Sequence, residues 1–195
     1  MQGLRGIISH YRKLSDREIM AETSNGILMG PRKPLKDKIE FKDLMKPERN
    51  FFSESEHDAD YVSSFRFGHF NIPDIIAGSA RGVSYIGGMN LGSGLIREGL
   101  VDDLESLRDF MVEKKLGILD VVSREEDEHL RMDVRVYECI ECSGLPNIGR
   151  PICFFEAGII SGALSEILGL RVDAYERRCW TNGYSFCQFD VVAEP

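Results

Sequence analysis

Apolar residues recur at helical spacing in the segment that follows Pro151. The repeating positions lie three or four residues apart and comprise Phe154, Ala157, Ile160, Ala163, Leu164 and Ile167. This spacing places them on one side of an α-helix. Gly169 follows the last of them, and a glycine at that position commonly ends a helix. The pattern therefore predicts a helix that begins next to Cys153 and ends at Gly169.

Beyond this helix the pattern changes to the alternation that is typical of β-strands. Residues 171–177 alternate between apolar and polar positions, and residues 185–192 do the same after the turn-forming sequence Thr-Asn-Gly. Two strands joined by such a turn form a hairpin. The hairpin would bring Glu176, Cys179 and Cys187 together at its turn end, and the N-terminus of the preceding helix could deliver a further cysteine.

The middle of the chain predicts further elements from the same two periodicities. They are a strand at residues 65–70, a helix from Asn71 to Met89, an amphipathic helix at 101–115, and strands at 116–123 and 130–139. The glycine-rich stretch within the first of these helices lacks the Lys-Ser/Thr pair of a phosphate-binding loop. Small residues at helical spacing instead permit the close approach of another helix or of a ligand.

These elements predict an α+β domain, built as an antiparallel sheet with helices packed on one side. The alternation at 130–139 indicates a sheet with one packed and one wet face. We assign this domain to residues 61–195. Residues 1–60 contain a stretch rich in proline and charge from Gly30 to Asn50, and we interpret them as an N-terminal extension or arm that could form a dimer contact.

Composition limits the classes of function. The chain has 195 residues, a net charge of −8 and an isoelectric point near 5.1. Recognition of nucleic-acid phosphates needs a basic face, so direct binding of nucleic acid is not expected. Five cysteines without a secretory signal indicate a reducing compartment. No stretch approaches the roughly 20 apolar residues of a membrane helix. We therefore expect a cytoplasmic protein with no membrane partner.

The four residues Cys153, Glu176, Cys179 and Cys187 offer three thiolates and one carboxylate, a suitable donor set for tetrahedral zinc. The N-terminus of the predicted helix also favours a thiolate at Cys153. Four protein ligands leave no open position, so such a site would stabilise structure. Thiolate-rich tetrahedral sites accept iron as well as zinc. The alternative is that the cysteines are buried, reduced core residues.

Cys139 and Cys142 form a C-x-x-C motif that has three interpretations: structural core cysteines, further metal ligands, or a redox pair. A thioredoxin-like pair belongs at the start of a helix, whereas the sequence Ser-Gly-Leu-Pro breaks the chain directly after Cys142. We rank core cysteines first, metal ligands second and a redox pair last.

One known family has a similar arrangement of residues, the 4-vinyl-reductase domain. The matching features are Cys153, Gly158 and Gly162, the Leu168-Gly169 stop, Glu176-x-x-Cys179, Gly183 and Cys187. The resemblance is strong from residue 134 to 192, looser back to about residue 61 and absent before that. Similar domains form the ligand-sensing part of aromatic-responsive bacterial transcription activators, and many archaeal members are predicted hydrocarbon-binding proteins.

The resemblance implies a fold that the family shares with vesicle-tethering (TRAPP-type) subunits, a homodimer and a metal. In the sensor members three cysteines and one glutamate hold zinc, which here implies Cys153, Glu176, Cys179 and Cys187 as ligands of a structural zinc. The layer between sheet and helices is the natural place for an apolar pocket. Candidate ligand-binding residues are Tyr85, Ile86, Met89, Met132, Phe154 and Trp180.

Two positions depart from the aromatic sensors, which carry tyrosines where this chain has Ala157 and Ala174. The departure disfavours a phenol-like ligand and leaves room for a bulkier one. The first hypothesis is thus a homodimer that binds a small hydrophobic molecule, with no catalysis of its own.

Two alternatives belong to other classes. A reductase of a vinyl-type substrate would need an external cofactor or partner, because the chain has no dinucleotide fingerprint and no nucleophile–base pair. A protein-interaction or regulatory subunit, as in the tethering complexes, is the other alternative.

Overall fold

The computed structural model describes residues 2–22, 30–32, 36–75, 80–126 and 130–194. Its helices are α1 (Gln2–Met20), α2 (Asp58–Ile75), α3 (Ala80–Arg97), α4 (Leu104–Glu113) and α5 (Phe154–Leu168). Its strands are β1 (Ile118–Glu126), β2 (Leu130–Tyr137), β3 (Arg171–Arg178) and β4 (Phe186–Glu194). Short 3-10 helices span Phe41–Met45, Phe52–Glu54 and Trp180–Asn182. Among the described helices, none has the length and apolar character needed to cross a membrane.

The four strands form one antiparallel sheet in the order β1-β2-β4-β3. This confirms the predicted α+β class, and β3 and β4 are the predicted hairpin. The register of this hairpin shifts between Glu176 and Arg178. Such a bulge changes which face the following side chains take. Glu176 keeps the face of the main core, while Arg178 turns to the opposite face and pairs with Gln188 at 2.7 Å.

Helix α5 is buried along most of its length, because it lies between the sheet and helix α3. Residues 156–164 are all buried. A helix surrounded by protein on both sides is expected to be apolar all round. Its N-terminus is Cys153 and its C-terminus is Gly169 in a left-handed conformation with φ of 64°, as the sequence predicts.

Glycines set the distance between α3 and α5. A methyl group added to Gly88 or Gly92 would collide with the main chain of α5, and one added to Gly158 or Gly162 would collide with the main chain of α3. The two helices therefore touch through their backbones, which is the close approach that the small residues predict. Gly87 on the neighbouring position of α3 has open space instead.

Helix α1 packs on the other face of the sheet. Its apolar side contacts a second, smaller hydrophobic cluster formed by Phe52, Ile118, Tyr137, Tyr184 and Phe186. The buried guanidinium of Arg135 donates to Ser15 Oγ at 2.6 Å and to Asp16 at 2.7 Å, both on α1. Part of the face that the alternation assigns to solvent is thus covered by this helix.

The predicted strand at residues 65–70 is wrong, because these residues belong to helix α2. Asn71 lies inside that helix and is not its cap, and residues 76–79 of the helix predicted here lie outside the described ranges. Alternating aromatic residues suggested a strand, yet the residues that face the protein interior also recur at helical spacing. They are Val62, Phe65, Arg66 and His69.

Part of the predicted surface arm is tied to the β3–β4 turn. The amide of Gly30 donates to Asn182 O at 2.9 Å, and the amide of Arg32 donates to Gly183 O at 3.0 Å. The side chain of Arg49 is only 2% exposed. These residues of the arm belong to the packed structure, because their hydrogen bonds and burial are made with the rest of the domain.

The glycine contact between α3 and α5 yields a matched pair of variants. Gly88→Ala should lower the free energy of unfolding by about 1–3 kcal/mol, because its methyl group has no space against α5. Gly87→Ala should raise it by about 0.5–1 kcal/mol, because it removes only backbone freedom from an exposed helical position. Chemical denaturation of both proteins measures the difference. Equal stabilities of the two variants would mean that the helices are not in backbone contact.

Candidate metal centre

The hairpin and the start of α5 bring together the four residues singled out in the sequence. One ligand atom from each of Cys153, Glu176, Cys179 and Cys187 lies within 4.8 Å of the other three. The three cysteines are fully buried. The Sγ atom of Cys153 is 3.6 Å from that of Cys179 and 3.6 Å from that of Cys187.

Local hydrogen bonds fix the position of each donor. The amide of Cys153, at the cap of α5, donates to Glu176 Oε2 at 2.6 Å and holds that carboxylate at the helix N-terminus. Cys179 follows the β3 bulge, and its amide donates to Asn182 Oδ1 at 2.7 Å. The hydroxyl of Thr181 donates to Cys179 Sγ at 3.2 Å. Hydrogen bonds of this kind orient metal ligands and favour a thiolate over a thiol.

The C-x-x-C motif lies in the same cluster. Its two cysteines are on the turn that follows β2, and both are fully buried. The Sγ atom of Cys139 is 3.6 Å from Cys153 Sγ, and that of Cys142 is 3.2 Å from Cys187 Sγ. Cys139, Cys142, Cys153 and Cys187 form a second set of four whose sulfur atoms all lie within 4.8 Å of one another. The turn thus places the motif where metal ligands would be.

The ionisation of the five thiols is interdependent. Burial raises the pKa of Cys142, Cys153 and Cys187 well above that of an ordinary thiol. Burial acts in the same direction on Cys139 and Cys179, but hydrogen bonds from neighbouring thiols outweigh it and leave the pKa of both low. A few thiolates are therefore stabilised by the remaining thiols. A bound cation would remove this competition, because a coordinating thiol is deprotonated outright.

The side chain of Glu176 shows an unmet demand for a cation. Its Oε1 atom is buried and has no hydrogen-bond partner in the described structure. Burial, and then the negative charge of Cys179, raise the pKa of this carboxyl well above its usual value. A divalent cation would reverse both effects. The chemistry of the donor set fits zinc, which binds sulfur and carboxylate ligands in tetrahedral sites.

Two arginines surround the thiols. The guanidinium of Arg66 is fully buried and donates to Ile140 O at 2.8 Å and to Ser143 O at 2.7 Å, on either side of Cys142. Arg32 donates to Tyr184 O at 2.7 Å and lies over the ring of Trp180 at 4.1 Å. Both guanidiniums are close enough for the charges of the cysteines to raise their pKa against the lowering effect of burial.

Two further carboxyl groups lie beside the thiols. Glu141 is fully buried and pairs with His69 Nε2 at 2.6 Å. Glu156 is also fully buried, and its Oε1 receives a hydrogen bond from Cys139 Sγ at 3.0 Å. Ser84 Oγ contacts His69 at 3.3 Å through the same Nε2 atom. A hydrolytic relay needs the two ring nitrogens to serve different partners, so Ser84, His69 and Glu141 do not form one by themselves.

The sequence analysis did not identify Arg32, Arg66, Glu141 or Glu156 as part of the site. Arg32 lies in a segment interpreted as an arm, and Arg66 in one interpreted as a strand. The proximity of Glu141 to the C-x-x-C motif was the one local signal available for these residues. The others reach the cluster through contacts between distant parts of the chain, which local patterns do not reveal.

The six residues predicted to bind a ligand lie in different environments. Met132 and Trp180 are buried in the main core. Tyr85 is half-buried and its hydroxyl receives a hydrogen bond from the Ala174 amide at 3.3 Å. The side chains of Met89 and Phe154 are half-buried and that of Ile86 is 58% exposed. An open depression of about 380 Å³ elsewhere on the surface is lined by other residues, among them Phe51, Phe52 and Val112.

The fold and the cluster define a class: an α+β domain whose antiparallel sheet and covering helix enclose a thiol-rich centre able to hold a metal. The family model of the 4-vinyl-reductase domain matches residues 132–193, a segment that contains all five cysteines. This confirms the resemblance to that family over the matched segment.

Individual proteins also resemble this chain. An uncharacterized protein of Methanocaldococcus jannaschii is 38% identical over 89 residues, which cover 46% of this chain and 52% of the relative. The chain thus spans about half the length of the curated relative that it matches. The phenol-responsive sensory domain of the transcription activator PoxR, solved with phenol, has a similar fold, with a TM-score of 0.53 at 13% identity over 68% of this chain and 74% of that domain. Subunit 3 of a trafficking protein particle complex from Naegleria fowleri gives a TM-score of 0.49 at 13% identity, over 70% and 96% of the two chains.

The buried arginine of α2 yields a prediction about the cluster. Arg66→Met should lower the free energy of unfolding by about 2–5 kcal/mol, because it leaves two buried carbonyl groups unpaired and removes a charge facing the thiols. Arg97→Met removes a guanidinium that pairs with Glu166 at the surface and should cost at most about 1 kcal/mol. Denaturant titrations of both variants measure this. A similar small loss in both would show that Arg66 does not support the turn.

Proposed function

We propose that this protein is a small-molecule-binding domain in which a structural zinc, held by Cys153, Glu176, Cys179 and Cys187, stabilises the fold beside an apolar pocket. The observation that carries the metal is the convergence of four donors within 4.8 Å, one of them a buried carboxylate oxygen without a partner. Four protein ligands complete a tetrahedron, so the ion would hold structure and would have no open position for a substrate.

The match to the 4-vinyl-reductase domain and the likeness to a phenol sensor support ligand binding. The ligand class that we propose is a hydrophobic molecule bulkier than phenol, because Ala157 and Ala174 are both small and buried. The pocket would lie where α3, the start of α5 and β3 meet. Tyr85 reaches from α3 to the main chain of β3 at Ala174. Its half-buried ring would form the wall that a ligand contacts.

The same proposal includes a homodimer in a reducing compartment such as the cytoplasm. Its support is the outer face of α3, where Val83 is 48% and Ile86 is 58% exposed. Apolar side chains on an unpartnered helix are typical of a protein contact. Five buried cysteines without a disulfide also suit a compartment that keeps thiols reduced. Native mass spectrometry of the purified protein gives the oligomeric state and any bound ligand mass together.

Replacement of one proposed ligand tests the metal. Cys179→Ser should lower both the zinc content and the melting temperature, because serine is a poor zinc ligand and structural zinc contributes directly to folding. Ser161→Ala is the control. It also removes a buried polar group, one that donates to Val172 O at 2.6 Å, but it lies outside the cluster and should keep the zinc. A Cys179→Ser protein with full metal content and unchanged stability would exclude the proposed ligand set.

Two tyrosine variants test the pocket. The probe is cis-parinaric acid, a fluorescent apolar molecule larger than phenol. Tyr85→Ala should weaken its binding about tenfold, because it removes an aromatic wall worth roughly 1.5 kcal/mol of contact. Tyr175→Ala, at a side chain that is 62% exposed on β3, should leave the affinity unchanged. Absence of binding to the unmodified protein, or an equal loss in both variants, would contradict the pocket.

A further inference from the structure

The two sets of four donors share two members. Cys153 and Cys187 belong to the set completed by Glu176 and Cys179 and also to the set completed by Cys139 and Cys142. The chain therefore offers six donors, four that belong to one set and two that belong to both. Two separate tetrahedral ions would need eight donors, and the cluster provides them only if the two shared thiolates each bind both ions.

From this arrangement we infer that the centre holds two metal ions, bridged by the thiolates of Cys153 and Cys187. One ion would take Cys139 and Cys142 as its terminal ligands, and the other would take Glu176 and Cys179. The inference rests on the proposed function, because it adds a second ion to the zinc site proposed there. Zinc is the ion that such a sulfur-rich tetrahedral site suits.

The observed distances fit two tetrahedra that share an edge. With metal–sulfur bonds of about 2.3 Å, two sulfur atoms of one tetrahedral site lie about 3.8 Å apart. The shared pair, Cys153 and Cys187, is separated by 3.6 Å. Cys153 is 3.6 Å from one terminal sulfur of each set, Cys139 and Cys179. Cys187 is 3.2 Å from Cys142. Each of these separations is close to the edge of such a tetrahedron.

The charges around the cluster also balance with two ions. Five thiolates and one carboxylate carry six negative charges, and two divalent cations offset four of them. The guanidiniums of Arg32 and Arg66, which interact electrostatically with these cysteines, supply the remaining two positive charges. A buried assembly with no net charge avoids the large penalty for charge in the protein interior. Arg66 also fixes the turn that carries the terminal ligands of the first ion.

The neighbouring carboxyls do not provide a third position. Glu141, Cys153 and Glu156 lie within 4.8 Å of one another, but they form a set of only three. Glu141 is already paired with His69 at 2.6 Å. Glu156 contacts Cys139 Sγ at 3.0 Å, the position of a group that hydrogen-bonds to a ligand sulfur.

Metal analysis of the folded protein and its variants tests the inference. Elemental analysis and native mass spectrometry of the full chain should give two zinc ions per chain. Cys142→Ser should reduce this number to one. Ser143→Ala, the adjacent and equally buried position in the same turn, should keep both, because its hydroxyl has no hydrogen-bond partner in the described structure.

The outcomes separate this inference from the proposed function. One zinc that survives Cys142→Ser but is lost in Cys179→Ser would overturn the second ion and leave the proposed zinc site intact. One zinc that is lost in Cys142→Ser would overturn both. A metal-free chain whose mass is lower by two hydrogen atoms would also overturn both, since it would show a Cys142–Cys187 disulfide.

A titration of the unmodified protein avoids any folding defect of the variants. Zinc is removed with a chelator under reducing conditions and cobalt(II) is added stepwise. The sulfur-to-cobalt charge-transfer absorption should rise up to two equivalents. The electron paramagnetic resonance signal per cobalt should fall between the first and second equivalent, because bridging thiolates couple the two spins. Saturation at one equivalent, or two equivalents without loss of signal, would overturn the bridged pair.

Discussion

Six donor groups, five of them thiols, meet in the interior between the β3–β4 hairpin, the N-terminus of α5 and the turn after β2. Burying a thiolate or a carboxylate is costly unless a cation offsets its charge. The elements around the cluster meet this constraint together: α5 supplies its N-terminus, while α2 and residues 30–32 each supply an arginine. Hydrophobic packing alone gives no reason for two arginines to lie beside five cysteines. A cation at the centre gives one, because it would bind the thiolates whose remaining charge the arginines offset.

The same centre joins parts of the chain that packing holds together less directly. The main chain of residues 30–32 runs along the β3–β4 turn, and the side chain of Arg32 binds the carbonyl of Tyr184 in that turn. Helix α2 reaches the C-x-x-C turn through Arg66. Each of these contacts ends on a main-chain carbonyl close to the cluster cysteines. A change in the occupancy of the cluster would therefore alter the docking of both the arm and α2.

Local sequence patterns predicted the part of the fold where one periodicity is unambiguous. Helix α5, its end at Gly169 and the following hairpin were predicted close to their observed bounds, and the spacing of Glu176, Cys179 and Cys187 indicated their convergence. Residues 65–70 failed because apolar positions there satisfy both the strand and the helix period. Arg66 and Arg32 could not be predicted, because their partners lie 74 or more residues away. The role of Cys139 and Cys142 depended in the same way on where the turn after β2 lies.

Strand β3 connects the metal centre with the proposed pocket. Glu176 and Ala174 lie two residues apart on the same face of this strand; one carries a donor of the cluster and the other contacts Tyr85 of α3. Because α3 and α5 touch through glycines, they cannot approach further to adapt to a ligand. A ligand that displaced the Tyr85 hydroxyl would instead act on β3, an edge strand of the sheet. A ligand shifts a conformational equilibrium only through differential contacts with its two states. In this domain those contacts would be made on a strand that the metal holds at one end, so the metal would set how far a bound molecule can move it.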